Sequence, residues 1–289
     1  VKPKLLWLAL LIVPFAGATD YVAARQAAAE LAKAGKLAEA QGAFLTLAEQ
    51  DVTQVQQADA LAEAALLADR LGETAKALEL AGRVALPHPR LAVRMQLLAN
   101  HRQWRELVEQ FGNEDFAAWP DTLVGNAAFA RGRAHAALRQ GKEAILDLTL
   151  ATECLLEDNA LGLSLIALGD AYSRFAKDDE RALACYRQAY DCRNIYKRTQ
   201  AAMNAAAILR SRREFDAARN ELAVIPLDRV NLPFWRGKLL LAWGDTLAEA
   251  GKTAEAIAKY QEASRLKGVS KAIQEACQKA LVRLEENGQ

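Results

Sequence analysis

The chain has 289 residues, 52% of them apolar but only 7% aromatic, so Ala and Leu supply most of the hydrophobic excess. That content excludes disorder and favours helices that approach one another closely. Lys plus Arg number 37 against 36 for Asp plus Glu, a balance that gives no bulk electrostatic reason to bind nucleic acid or an anionic membrane.

The first 18 residues read as a leader. Lys2 and Lys4 precede an apolar run from Leu5 to Phe15, broken only by Pro14, and Ala16-Gly17-Ala18 supplies an A-x-A cleavage site. As a helix the run spans only about 16 Å against a hydrocarbon core of roughly 30 Å. Cleavage between Ala18 and Thr19 is therefore expected, giving an exported, periplasmic or secreted chain with no stable membrane insertion afterwards. No Cys follows the run, so the acylated Cys of a bacterial lipoprotein is missing.

Beyond the leader one pattern returns. Ala40, Ala77, Leu107, Ala144, Ala182, Ala218 and Ala256 are separated by 37, 30, 37, 38, 36 and 38 residues, and four positions after each stand Phe44, Ala81, Phe111, Leu148, Tyr186, Leu222 and Tyr260. Four residues is one helical turn, so each pair shares a face. A period in this range marks a solenoid of helical hairpins. Pro87, Pro89, Pro120, Pro226 and Pro233 fall between the candidate hairpins, where a missing N–H costs little. Gly35, Gly72, Gly141 and Gly251 are placed in the turns inside them, where a positive φ ends one helix before the next begins. The unit around Leu107 lacks such a Gly, the turn of the unit around Ala144 reads as shortened, and FAKDDERA before Ala182 carries an extra residue. No long alternation of β-branched residues signals a strand.

The segments Ala29–Ala48, Leu163–Tyr190 and Leu239–Leu266 resemble tetratricopeptide repeats. The last is the clearest, with Trp243-Gly244, Gly251, Ala256, Tyr260 and Ala263 in order. The resemblance implies an all-α, right-handed solenoid of antiparallel helix pairs. About seven hairpins would fill residues 19–268, with small residues letting paired helices approach and aromatics filling the space to the next repeat. Residues 269–289 hold a further amphipathic helix and tail. Ile273, Cys277, Ala280, Leu281 and Leu284 share one of its faces, as suits a cap for the exposed end of an array.

Catalytic signatures fail in turn. Gly251-Lys252-Thr253 resembles the end of a phosphate-binding loop, but position 246 is Thr where that loop needs Gly, and no strand precedes it. Gly162-Leu163-Ser164 lacks the second Gly of a nucleophile elbow, so Ser164 reads as an ordinary small residue. His88, His101 and His135 have no metal-ligand spacing, and His88, between two prolines, reads as a loop residue. Asp178-Asp179-Glu180 suit a helix start. Neither enzymatic activity, a metal nor a cofactor is expected. Cys185 and Cys192, placed seven residues apart on one helix, would lie roughly 10 Å apart and could not pair. A bridge from Cys154 to either stays open beside the alternative that all four cysteines are small buried apolar residues.

What remains is a binding surface for a protein or peptide. In tetratricopeptide arrays first helices line the groove, and the register puts Asn126, Arg133, Asp170, Arg174, Met203, Asn204, Arg210, Lys238 and Asp245 there. That groove would be polar and mixed in charge. The family's clamp for peptide carboxylates is matched only by Asn204 and Lys238, since Ile166, Asp170 and Ala242 occupy the other slots. The alternative is a subunit of an envelope or secretion assembly, with permanent contacts on the convex face and the end helices; an exposed apolar patch along the second helices would favour it.

Overall fold

A computed structural model describes residues 18–155 and 158–287, and among them every regular element is helical. The leader lies outside the described residues except for Ala18, which with Thr19 opens the first helix. Consecutive helices alternate as α1 (Ala18–Lys33) and α2 (Leu37–Ala48), α3 (Gln54–Arg70) and α4 (Thr74–Arg83), α5 (Pro87–Asn100) and α6 (Trp104–Phe111), and α7 (Asp121–Ala137) and α8 (Gly141–Cys154). They continue as α9 (Asp158–Ala171) and α10 (Asp179–Gln188), α11 (Ile195–Ser211) and α12 (Phe215–Ala223), and α13 (Pro233–Glu249) and α14 (Thr253–Arg265), then α15 (Lys271–Asn287). Two compact units divide at Leu97 and Leu98, within α5.

The turn inside each pair is one motif used seven times. Its left-handed residues are Gly35, Gly72, Arg102, Arg139, Lys177, Arg213 and Gly251, with φ between +56° and +81°. Each stands five positions before its anchor (40 − 35, 77 − 72 and so on), so the turns repeat the anchor spacing residue for residue. In six of them the next N–H reaches a carbonyl five residues back, as Lys36 to Leu31 at 3.0 Å and Lys252 to Leu247 at 2.9 Å. This bond satisfies a carbonyl that the helix end leaves open. In the seventh, the N–H of Asp178 reaches back six residues to Tyr172 at 3.2 Å. A π turn over Tyr172–Ala176 holds the additional residue of FAKDDERA.

Two expectations about these turns are corrected. Arg139, not Gly141, takes the left-handed place, and that turn has the standard length. Gly141 is instead the first residue of α8, where a Cβ would stand 2.5 Å from Cβ of Phe175. Its smallness serves close packing. The unit around Leu107 manages without glycine because Arg102 adopts φ +56°.

Packing follows the sequence pattern. All seven anchors are 0% exposed, and the residues four positions later are all buried. In the unit ending at Leu97, Phe44 and Leu47 of α2 meet the Ala-rich faces of α3 and α4, including Ala60, Ala64, Ala68 and Ala77. In the unit from Leu98, three glycines on first helices each meet the second helix of their own pair. A Cβ on Gly132 would stand 2.8 Å from Leu148, on Gly169 2.6 Å from Tyr186, and on Gly244 2.4 Å from Tyr260. These tyrosine rings seat against their own first helix and also share a core with the next one, Tyr186 with Ala201 and Ala205 of α11 and Tyr260 with Ile273 and Cys277 of α15. Ile273 and Cys277 of α15 are buried in the cluster of Leu247, Tyr260 and Ala263, so the last helix covers α13 and α14.

Other placements depart from the sequence reading. His88 lies in the first turn of α5 rather than in a loop. Helix α10 ends at Gln188 and a 3-10 turn runs to Asp191, so Cys192 does not share a helix with Cys185. Cys192 packs instead beside Gly162, its thiol 3.3 Å from the Asp158 carboxylate. No disulfide joins the four cysteines.

Candidate peptide-binding face

The first helices of the unit from Leu98 bring four of the expected site residues, Asp170, Asn204, Arg210 and Asp245, onto linked positions. On α9, Asp170 receives the Tyr186 hydroxyl at 2.6 Å and the Asn204 amide at 3.0 Å, the latter from α11. On α13, Asp245 receives the Tyr260 hydroxyl at 2.9 Å and an ion pair from Arg210 of α11 at 3.5 Å. Arg210 also grips Glu249 at 2.7 Å. Desolvation raises both aspartates above the ordinary carboxylate range, against the hydrogen bonds that lower them. Glycine explains the geometry: Gly169 and Gly244 immediately precede these aspartates and admit the tyrosine rings whose hydroxyls then reach the carboxylates.

The remaining expected residues are not bonded into this network, though the Arg174 charge is near enough to favour the Asp170 carboxylate. Asn126 is exposed on α7. Arg133 sits over Trp104 and Phe129 at 5.4 Å from each ring, and burial with the nearby Arg102 charge lowers its pKa. Arg174, in the π turn, lies 5.9 Å from the Phe175 ring. Lys238 is exposed, its ammonium 4.8 Å from Phe234 and 5.6 Å from Trp235. Thus the acids of this face have donors from the protein itself. Three of its cations rest on aromatic rings, and none of the three forms an ion pair among the described residues.

Sequence reasoning missed two polar clusters. In the unit ending at Leu97, Arg25 of α1 makes a two-pronged contact with Asp59 of α3, and Tyr21 donates to the same carboxylate at 2.9 Å. In the other unit, Arg131 of α7 donates to both oxygens of Asp147 on α8 at 2.8 Å and to the carbonyls of Phe111 and Glu114. His135 stands 3.6 Å from Asp147 and 2.7 Å from Gln140, so a carboxylate does face this histidine, from the paired helix. Buried and with four of its five N–H donors bonded, Arg131 ties the end of α6 to α7 and α8.

No group of three His, Cys, Asp or Glu side chains able to hold a metal ion occurs among the described residues. No described helix is long and apolar enough to cross a membrane. Compared with solved structures, the chain is similar to a tetratricopeptide repeat protein from Parabacteroides merdae ATCC 43184, with a TM-score of 0.50 over 92% of this chain and 99% of that one. The fold is tetratricopeptide-like. Identity between the two is 12%, so the likeness concerns the fold. No family model and no curated protein matches the chain.

Proposed function

We propose that this tetratricopeptide-like chain is an exported interaction scaffold that holds a segment of another protein along its first helices. The observation that carries the reading is the linkage of Asp170 to Asn204 and of Arg210 to Asp245 across consecutive first helices. It gives a fixed polar row flanked by the exposed cations Arg174 and Lys238. A fixed row presents donors and acceptors without an ordering cost at binding. The leader of residues 1–18 supports export, with Thr19 as the expected first residue of the mature chain.

The assembly-subunit reading would need an extended apolar patch on the second helices. Their exposed large apolar residues stand singly, Leu78 on α4 and Leu146 on α8, which favours segment capture. A photoactivatable residue placed at exposed Ala207 on α11, and separately at Leu146, tests the choice in the native envelope. A discrete protein adduct from Ala207 and none from Leu146 is expected; the reverse result supports the assembly subunit. Intact mass of the same material beginning at Thr19 checks export, and retention of residues 1–18 defeats it.

A further inference from the structure

The start of α13 carries a cluster that the polar row does not use. Tyr196 of α11 and Trp235 stack with ring centres 6.3 Å apart, and Phe234 meets Trp235 edge-on at 5.5 Å. Phe234 remains 43% exposed, as does its neighbour Leu232 at 48%. Tyr196 and Trp235 are half-buried against the core of α11 and α13, so Phe234 is the exposed ring, held on a fixed aromatic base; an exposed aromatic so anchored is common at the centre of an interface. Phe234, Lys238, Leu241 and Asp245 recur at helical spacing, so the cluster and the polar row share one face of α13. On α11 the place that Asp245 holds on α13 is taken by the exposed Ala207 (245 − 207 = 38), a small side chain that offers room for a backbone to lie close.

Charge selects the occupant. Asp170, Asp245 and Glu249 already accept bonds from Tyr186, Asn204, Tyr260 and Arg210. Lys238 forms no ion pair among the described residues and stands over the two rings. A basic ligand would meet this ammonium unshielded, whereas a carboxylate would supply the missing partner, in surroundings where the rings exclude water on one side.

We propose that Tyr196, Phe234, Trp235 and Lys238 form the docking point for an aromatic side chain of the partner segment that has an acidic residue beside it. This deepens the reading of the first-helix face as partner-binding and depends on it. The aromatic side chain lies against Phe234 and Trp235, and its neighbour's carboxylate pairs with Lys238.

The test uses the full chain and fluorescein-labelled nine-residue peptides of Gly and Ser with a Glu-Trp-Asp core, a Lys-Trp-Lys core or a Glu-Ala-Asp core. Anisotropy titrations are expected to show the first bound, with both controls at least about tenfold weaker. Phe234→Ala and Lys238→Glu should each weaken the first peptide about tenfold or more, and Lys238→Glu should improve the Lys-Trp-Lys peptide. Both substituted residues are exposed, and circular dichroism and melting temperature of each variant confirm an intact fold. Equal binding of the three peptides, no binding of the first, or binding unaffected by both variants overturns the docking point. Adducts at Ala207 report separately on the wider reading. A partner crosslinked there by a chain that ignores the Glu-Trp-Asp peptide leaves the scaffold standing and removes only this inference.

Discussion

Replacing Gly251 by Ala and Arg213 by Gly isolates the energetic role of the repeated turn. Both positions hold left-handed backbone, at φ +75° and +61°. An L-residue with a Cβ costs roughly 1–2 kcal/mol there relative to glycine, and no atom lies within 4 Å of where a Cβ on Gly251 would stand. Gly251→Ala should therefore destabilise by about 1 kcal/mol through backbone conformation alone, without a clash. Arg213 is exposed, so Arg213→Gly relieves the same strain and gives back part of it as unfolded-chain entropy, for a net gain of about 0.5–1 kcal/mol. Gly141→Ala is the control, because its backbone is not left-handed and its cost, about 1–3 kcal/mol, comes from the Phe175 contact. Gly251→Asn should recover most of the loss, since Asn tolerates the left-handed region, whereas Gly141→Asn should be worse than Gly141→Ala. Urea midpoints with a common slope measure all five variants. Loss of stability in Arg213→Gly, or an unchanged midpoint in Gly251→Ala, refutes the assignment of one turn motif to the seven pairs.

Removing one partner of the buried Arg131–Asp147 pair by Asp147→Ala should cost about 3–5 kcal/mol, because Arg131 then keeps a buried charge with no carboxylate; a loss under 1 kcal/mol in urea unfolding contradicts this. Burial pushes the Cys185 thiol up to about 11, and Cys154 is the one cysteine not fully buried. Maleimide at neutral pH should accordingly modify Cys154 first, and early modification of Cys185 followed by peptide mapping would show the packing to be wrong. Burial and the facing carboxylates raise the phenols of Tyr186, Tyr190 and Tyr260. The folded chain thus keeps protons that the unfolded chain releases above its ordinary value of about 10, and stability should fall as pH rises beyond that point. Tyr260→Phe should flatten the decline between pH 9 and pH 11; an unaltered slope argues against the Tyr260–Asp245 bond.

The hairpins were legible in the sequence because the fold needs the same thing at each repeat. A buried small residue and an apolar residue one turn later leave a spacing that survives changes of side chain, even where Leu107 replaces Ala. The extra residue before Ala182 was legible for the same reason, and the π turn is its physical form. The turn of the fourth pair was misread because glycine signals two needs, left-handed backbone and close approach. Gly141 answers the second, while Arg139 bears the strain of the first. Arg131 and Asp147 left no local trace, since their bond joins different helices and each residue alone resembles a solvated charge. The aromatic docking point had a signal that went unused: Tyr196 and Phe234 are 38 residues apart (234 − 196), one repeat, and so occupy equivalent places on successive first helices.

The central claim is that partners lie along the first helices. Amide hydrogen exchange of the full chain, alone and with the protein recovered from crosslinking at Ala207, measures this most directly. The account predicts slowed exchange at the starts of α11 and α13 and in the π turn at Tyr172–Ala176, with α8, α10, α12 and α14 unchanged. Protection confined to those second helices would contradict it.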